Sequence, residues 1–519
     1  MTSKSLCACL LAIVLGACSN LSPAASSATQ MRSQTTILPE FHGYAAAPAD
    51  DASEACAERP NDTAAKLVQC VGGASLWAHL SQFQRIANEN PGLDGHGNRD
   101  TGTRGYEASV DYVATLMRRA GYNVTIQPYI YMASEVTGTP EFRIANQSYT
   151  IERDWFVARH SGSGSLTAAI VPPSEPGAGC SPKDFADFFR GSIALLERST
   201  CAFDTQVANA SAAGAAAAIL YTPEGSAYEA RLTDPASIPV VGVAAYAVGA
   251  ELLRRYRSGA APTAQIDIRT RRKTGVDYNV IADSPFGDPG RIVTIDAHLD
   301  SIYGAGMLDN ASGSTTILDI ALNMAKTQTL NRLRYIWFGG EELGLLGSHY
   351  YTKHLTSAEL HRSVFDVDVD VTASPNFDIM VADPAFAWNV ARFPANVVPQ
   401  SKVGNAYLAD FFETAGVASR PAGFGNGGTD SNSFSLIGVP NTGILTLQDC
   451  CKHTWETKLW GGFRGNYEGD IPSFNGGCVD MPHRWCDNLS NNDPFVLDLI
   501  SKSVAYVTFE LANNASLKQ

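Results

Sequence analysis

The sequence has little positive charge for its length. Its 38 lysines and arginines are outnumbered by 52 aspartates and glutamates, which gives a net charge of −14. Phosphate binding needs basic surface, so this balance argues against a nucleic-acid partner. With 45% hydrophobic and 17% charged residues, the composition is typical of a globular protein. A chain of 519 residues is long enough for roughly two to four domains.

The sequence also lacks paired Cys-x-x-Cys motifs, which counts against a cysteine-ligated zinc site. Of its 11 cysteines, three fall in or at the end of an N-terminal targeting segment, and eight remain. An even number of cysteines in close pairs predicts disulfide bonds in an exported protein. The expected pairs are Cys56 with Cys70, Cys180 with Cys201, Cys478 with Cys486, and the adjacent Cys450 and Cys451.

Residues 1–17 are predicted to be a signal peptide. Leu6–Val14 is an apolar run too short to span a membrane as a mature helix, and Leu15–Cys18 resembles a bacterial lipoprotein signal. Cleavage would leave a lipid-bearing Cys18 that attaches the protein to a membrane. The alternative is a plain secretory signal cut near Ser22–Ala28.

Both alternatives export the protein. The expected location is the outer membrane, as a lipoprotein, or the periplasm or medium of a bacterium. Residues 18–55 are rich in Ser, Ala, Thr and Pro without a lasting apolar period, which predicts a linker.

The chain is organised around a predicted strand–loop–helix–strand unit. Arg291–Ile295 and Leu333–Phe338 are apolar runs typical of buried strands, and Ser312–Lys326 has apolar residues at helical spacing. This order predicts parallel strands. In open α/β sheets, sites collect beyond the carboxyl ends of strands.

Five residues that suit a metal site follow those strand ends, namely His298, Asp300, Asp309, Glu341 and Glu342. Histidine offers an imidazole nitrogen, and carboxylates offer oxygens that bind one ion or bridge two. Asp300 is placed to hold the His298 ring through its second nitrogen. Each residue alone is more often structural, but the set at strand ends predicts a metal site.

The motifs HLDS, GAGMLDNASGS and GGEELGLLGS in this stretch resemble the M28 family of di-zinc aminopeptidases. The resemblance implies His298, Asp309 and Glu342 as metal ligands, with Asp309 bridging two zinc ions and Glu341 as the general base. It further implies Asp370, just before a Ser-Pro-Asn motif, and His483, before a Cys-Asp pair, as the remaining ligands. The implied activity is removal of N-terminal residues from peptide or protein substrates.

Two further segments extend the resemblance. NRDTGTRGYEASVDYV, with a predicted helix at Tyr106–Ala120, is similar to an N-terminal part of the family. Residues 162–272 resemble a PA (protease-associated) domain, which would gate the site, bind partners or only pack. In this domain Gln206–Ala217 is predicted to be helical.

The implied fold is α/β, with a mixed, mostly parallel central sheet flanked by helices, as in zinc exopeptidases, and a β-rich PA insertion. The expected boundaries are 1–17 for the signal peptide, 18–55 for the linker, 56–161 and 273–519 for the peptidase domain, and 162–272 for the PA domain.

Alternating residues of Val364–Val371 place Asp366, Asp368 and Asp370 on one strand face. We expect Asp366 and Asp368 to lie behind the metal ligands or in solvent. The region from Gly428 to Phe434 lacks an arginine and a histidine that the family often has, and Pro482 replaces a tyrosine that helps to bind the oxyanion. The sequence therefore does not identify the residue that would stabilise the oxyanion.

Three other functions stay open. One is an M28-type carboxypeptidase or glutaminyl cyclase. Cyclases of the family use one zinc ion, so the full ligand set favours a peptidase. Another is a metal-free binding protein on the same fold, against which the filled ligand positions count. The last is a surface adhesin that binds through the PA domain.

Overall fold

The computed structural model describes residue 56 and residues 59–517, with gaps at 93–94, 146, 150, 152–153, 175–178, 223–231, 233–234, 244–245, 261, 303, 388, 424–428, 449–451 and 469–485. The predicted ligand His483, its neighbour Pro482, Cys18 and three of the predicted disulfide cysteines lie outside the described residues.

The α-helices, numbered in chain order, are α1 Ala64–Cys70, α2 Gly73–Glu89, α3 Arg104–Arg119, α4 Phe203–Ala212, α5 Tyr246–Arg257, α6 Ser312–Met324, α7 Leu346–Lys353, α8 Ser357–Arg362, α9 Val397–Ala415, α10 Ser431–Leu436, α11 Thr454–Trp460 and α12 Pro494–Ala512.

The strands are β1 Asn123–Val136, β2 Glu141–Ile144, β3 Gln147–Ser148, β4 Trp155–Val157, β5 Gly164–Val171, β6 Ile193–Glu197, β7 Ala217–Tyr221, β8 Val240–Val243, β9 Thr263–Ile268, β10 Thr270–Asp283, β11 Asp288–His298, β12 Asn331–Phe338, β13 Ser363–Val369, β14 Met380–Ala382, β15 Arg420–Ala422 and β16 Asn441–Leu445.

The described strands form two sheets of eight. The main sheet has the order β1-β10-β12-β11-β13-β16-β14-β15. β12, β11, β13 and β16 run parallel to one another, while β10 pairs antiparallel with both β1 and β12. β14 pairs antiparallel with β16 and parallel with β15. The predicted α/β class is therefore confirmed, and the sheet is mixed, with its parallel strands at the centre.

Helices cover the main sheet because each buries an apolar stripe. In α3, Val110, Val113 and Met117 face the core, and the Thr103 side chain caps the helix by accepting from the Tyr106 N–H. α12 begins after Asp493, whose carboxylate accepts from two N–H groups of the first turn. It packs against α1, α6 and α9 in the largest apolar cluster.

The second sheet, of order β3-β2-β9-β5-β6-β7-β8-β4, is the inserted domain. It is carried by a ribbon in which β1 and β10 pair over their whole length, from Asn123 opposite Asp283 to Val136 opposite Thr270. β2, β3 and β4 precede residue 162, where the insertion was expected to begin, and they pair with strands of this second sheet. The inserted domain has its own apolar clusters around β6 and β7.

Two predicted disulfides are confirmed, Cys56–Cys70 and Cys180–Cys201. Cys486 is also disulfide-bonded, and its predicted partner Cys478 is not among the described residues. In the part of the chain that is described, no helix combines the length and apolar character needed to cross a membrane.

Candidate active site

Three parallel strands end side by side where the predicted site residues lie. β11 ends at His298, whose partner in register on β12 is Phe338, the last residue of that strand. β13 ends at Val369, one residue before Asp370. Because the carboxyl ends of parallel strands meet at one edge of a sheet, the segments that follow them come together there.

His298 lies at the centre of this edge. Its Nε2 is 3.0 Å from Asp309 Oδ1 and 3.3 Å from Asp370 Oδ1. On the other side of the ring, Nδ1 is 3.1 Å from the backbone oxygen of Asp300 and 3.6 Å from its Oδ1. Potential ligand atoms of His298, Asp309 and Asp370 all lie within 4.8 Å of one another. We call these three residues the metal pocket.

Asp300 connects the His298 ring to two other segments. Its Oδ2 accepts from the Thr101 hydroxyl at 2.9 Å, and its Oδ1 accepts from the Glu341 N–H at 3.2 Å. The carboxylate is fully buried. It therefore fixes the position of the His298 ring relative to the backbone at Glu341.

Arg99 shapes the loop between His298 and Asp309. The guanidinium is fully buried and donates at 2.8 Å to the backbone oxygens of Leu299, Ala305 and Gly306. Burial lowers the pKa of Arg99 to about 10, so the group stays charged at neutral pH. One side chain from the N-terminal segment thus sets the course of the loop that delivers Asp309.

Two later residues hold Asp309 itself. The Asp487 carboxylate accepts from the N–H groups of Leu308, at 2.6 Å, and Asp309, at 3.1 Å. The Gln448 side-chain amide donates to Asp309 Oδ2 at 2.7 Å. Gln448 follows Leu447, whose φ of +67° turns the chain after β16. The Asp309 backbone and one carboxylate oxygen are therefore both anchored.

Asp370 is held through the neighbouring Asn310. The Asn310 side-chain oxygen accepts from the Val371 N–H at 3.1 Å, and its amide donates to the Val369 oxygen at 2.9 Å. These bonds bracket Asp370 on both sides. Since Asn310 also follows Asp309 in the chain, one side chain ties together the segments that carry two residues of the metal pocket.

Glu341 and Glu342 lie on a turn that needs glycine. A Cβ on Gly339 would lie 2.2 Å from the Tyr106 hydroxyl oxygen, and Gly340 has a φ of +67°. The turn then closes through bonds from the N–H groups of Gly344 and Leu345 to the Glu341 oxygen, both 2.8 Å. The structure therefore places both glutamates at the strand end next to His298.

The metal pocket is buried and strongly negative. Burial alone would lower the pKa of His298, but the charge of Asp370 and the contacts with Asp300 and Asp309 raise it well above its ordinary value. Despite their proximity, His298 Nε2 and Asp370 Oδ1 make no hydrogen bond of acceptable geometry within the described residues. Imidazole nitrogen and carboxylate oxygen are ligands of zinc in proteins. The pocket therefore fits a divalent metal ion.

Glu341 lies in the same negative environment. Burial raises the pKa of its carboxyl well above the ordinary value, and the charges of Glu342, Asp430 and Asp370 add to this rise, while His298 opposes it. A carboxylate with raised proton affinity is a better base than one in water, because it binds a transferred proton more tightly.

A second layer of carboxylates lies on the strands that lead to the pocket. Asp296 on β11 and Asp366 and Asp368 on β13 are fully buried. Of the two positions expected for Asp366 and Asp368, behind the metal ligands or in solvent, burial excludes the second. Asp368 Oδ2 accepts from the Ser431 N–H at 2.9 Å. Burial raises the pKa of Asp368 to about 7 and the pKa values of the other two well above their ordinary value. Burial is the main cause of these rises, and the charges of neighbouring carboxylates add to it.

No pattern in the sequence indicates the contact of Gln448 with Asp309. The residue belongs to no motif, and only the turn after β16 brings it to the pocket. Arg99 and Asp487 lie in segments that the sequence analysis singled out, NRDTGT and the Cys-Asp pair, but their hydrogen bonds depend on packing between distant segments. The predicted ligand His483 is outside the described residues.

Comparisons with known proteins agree with this geometry. Residues 279–508 match the model of Peptidase family M28, and residues 163–252 match the model of the PA domain. An aminopeptidase of Pseudomonas aeruginosa is 29% identical over 461 residues, which cover 85% of this chain and 81% of that protein. A probable lipoprotein aminopeptidase of Mycobacterium tuberculosis is 29% identical over 448 residues, 83% of each chain.

Among solved structures, the fold is similar to that of a zinc aminopeptidase from Bacillus subtilis. The TM-score is 0.61 with 22% identity, over 86% of this chain and 96% of that one. At this identity the likeness supports the fold alone.

Proposed function

We propose that this chain, a member of peptidase family M28 with an inserted PA domain, is an exported aminopeptidase. It would remove N-terminal residues from peptides and proteins with the help of two zinc ions. The observation that carries the proposal is the convergence of His298, Asp309 and Asp370 at one sheet edge. The name of the Pseudomonas protein supports the reaction.

In this proposal His298, Asp309, Glu342, Asp370 and His483 hold the two ions. Asp309 would serve as a ligand because its backbone is anchored by Asp487 and its Oδ1 faces His298 Nε2. Bound zinc supplies a Lewis acid and lowers the pKa of a water molecule. Asp300 keeps the His298 ring oriented through contacts on the Nδ1 side.

Glu341 carries the proton in the proposed reaction. Its carboxylate accepts a proton from the attacking water and donates it to the nitrogen of the leaving amine, so that the base is restored after each turnover. The Glu341 N–H donates a hydrogen bond to Asp300, the residue that orients His298, and so fixes the Glu341 backbone relative to that histidine.

Hydrolysis of aminoacyl-p-nitroanilides tests the proposal, with N-acetylated versions and a C-terminally blocked peptide as comparison substrates. We expect cleavage of free-amine substrates only, lost with a zinc chelator and in Glu341→Gln. Glu359→Gln, a change on exposed α8, is the matched control. Cleavage of the acetylated substrates would favour an endopeptidase or carboxypeptidase. A folded, zinc-loaded protein without hydrolysis would favour a binding protein.

We further propose that Cys18 is lipidated and holds the protein on a membrane. The name of the mycobacterial relative and the disulfides support export. Labelling cells with a tagged fatty acid tests the proposal. We expect label and membrane association in the wild type and neither in Cys18→Ala. A soluble, unlabelled wild-type protein outside the cytoplasm would indicate a plain secretory signal instead.

A further inference from the structure

Arg159 of the inserted domain contacts the turn that carries Glu341 and Glu342. The turn that follows β4, residues 158–163, is fixed to β8 by bonds from the Ala158 N–H to the Val240 oxygen, at 3.0 Å, and from the Val240 N–H to the Ser161 hydroxyl, at 2.8 Å. This turn carries Arg159, whose side chain is half-buried. Nη2 of Arg159 donates to the Leu343 oxygen at 3.0 Å, and Nη1 lies 3.5 Å from the Glu342 oxygen.

These contacts complement the turn's own hydrogen bonds. Inside the turn, N–H groups donate to the oxygens of Gly340 and Glu341, with distances of 2.8 to 3.3 Å. The next two oxygens along the chain, those of Glu342 and Leu343, face the Arg159 guanidinium. Guanidinium presents its donors in a rigid planar fork, so two adjacent carbonyl groups held by it have a defined orientation.

We propose that Arg159 is a positioning residue through which the inserted domain holds the 341–344 turn, and with it the side chains of Glu341 and Glu342. The inference rests on the proposed function for the roles of these two glutamates. It gives the inserted domain a part in the reaction that packing alone would not, because the domain then sets the position of a proton carrier and of a metal ligand.

The experiment compares Arg159→Ala and Arg159→Lys with the wild type. Arg143→Ala is the control, since Arg143 lies on β2 of the same domain, half exposed, with a contact to Glu141 at 3.8 Å. Two quantities are measured on the full chain: the affinity of the metal-free protein for zinc, by competition with a chelating dye, and kcat and KM for leucyl-p-nitroanilide.

We expect Arg159→Ala to bind zinc about tenfold or more weakly, as when groups that support a ligand are removed. We also expect kcat to fall about tenfold with KM within about threefold, and the lysine variant to lie between alanine and wild type. The control should match the wild type. If the alanine variant does not fold, the lysine variant alone decides.

Zinc affinity and kcat equal to those of the wild type would overturn the proposal, and so would a rise in KM with unchanged kcat. A wild type that binds zinc but hydrolyses none of the substrates would refute the proposed function. The zinc affinities of the variants would still decide the role of Arg159.

Discussion

Two buried groups of carboxylates differ in where their counter-charge comes from. In the first, Asp378 Oδ2 accepts from Arg420 Nε at 2.8 Å, and Arg420 Nη2 lies 3.3 Å from Glu456 Oε1. We call these three residues the arginine network. In the metal pocket, Asp309 and Asp370 face the His298 imidazole instead of a guanidinium. Buried aspartates thus pair with an arginine of the chain in the arginine network, whereas in the metal pocket they are arranged around a histidine as metal ligands would be.

This difference predicts that the arginine network contributes to folding stability and the metal pocket to function. Burial of carboxylates costs free energy unless a cation offsets it. Burial raises the pKa of Asp378 to about 6 in spite of the opposing effect of Arg420. In the arginine network the chain supplies the cation, so this group should serve folding, whereas the metal pocket should depend on an ion from solution.

The largest expected effect is on catalysis, from Asp370→Asn. The change keeps the shape of the side chain but removes a charge that the metal needs, so kcat/KM for leucyl-p-nitroanilide should fall by about a thousandfold or more. Folding should survive, as judged by circular dichroism. Asp378→Asn is the matched comparison and should keep most of the activity per folded molecule. Equal activity losses in the two variants would remove the distinction.

Arg420→Ala should instead act on stability. It leaves Asp378 and Glu456 buried without their guanidinium, which costs about 3–5 kcal/mol for a broken buried ion pair. Urea unfolding of the metal-free protein measures this loss, and Arg392→Ala, an exposed arginine, is the control. A loss below about 1 kcal/mol would contradict the role given to the network.

Asp319 on α6 is a third kind of buried carboxylate. Its Oδ2 accepts from the Gly72 N–H at 3.2 Å, and burial raises its pKa to about 7. Because the pKa of Asp319 is raised on folding, its carboxyl contributes stability that is fully present below the unfolded-state pKa of about 4. This stability is lost as the pH rises through the folded-state pKa of about 7. Asp319→Asn keeps an acceptor but cannot ionise. Relative to the wild type, it should gain about 3 kcal/mol between about pH 5 and about pH 8.

Unfolding by urea at several pH values checks this, with the exposed Asp288→Asn as control. If the free energy of unfolding depends on pH in the same way in the wild type and in Asp319→Asn, the pKa of Asp319 is not raised on folding.

The smallest effect is expected for Gln448→Ala, which removes the donor to Asp309 Oδ2. Zinc affinity should fall about tenfold, as for other groups that orient a ligand. Gln265→Ala, on an exposed position of β9, is the control. If zinc affinity does not change in Gln448→Ala, the amide contact has no influence on the pocket.

The elements near the site were predictable because their patterns are strong. The strand–loop–helix–strand unit occurs as predicted, with β11, α6 and β12, and the helix predicted at Tyr106–Ala120 is α3 with ends shifted by one or two residues. Alternation along β13 placed Asp366, Asp368 and Asp370 on one face. Apolar period and strand-end position are local properties, so the sequence carries them.

Other features depended on local backbone or on distant packing. The helix predicted at Gln206–Ala217 ends instead at Ala212, because Gly214 adopts a φ of +94° and the following residues form β7. Alternation could not reveal whether Asp366 is buried, since this depends on what covers the sheet. Arg159 and Gln448 reach the site from a domain insertion and a turn, and neither has a pattern of its own.

Zinc-edge anomalous scattering from crystals of the full chain grown with zinc would show where the ions bind. We expect two anomalous peaks at the carboxyl ends of β11, β12 and β13, in contact with His298, Asp309 and Asp370, and no peak at the arginine network. Crystals with zinc elsewhere but none in contact with these three residues would contradict this expectation.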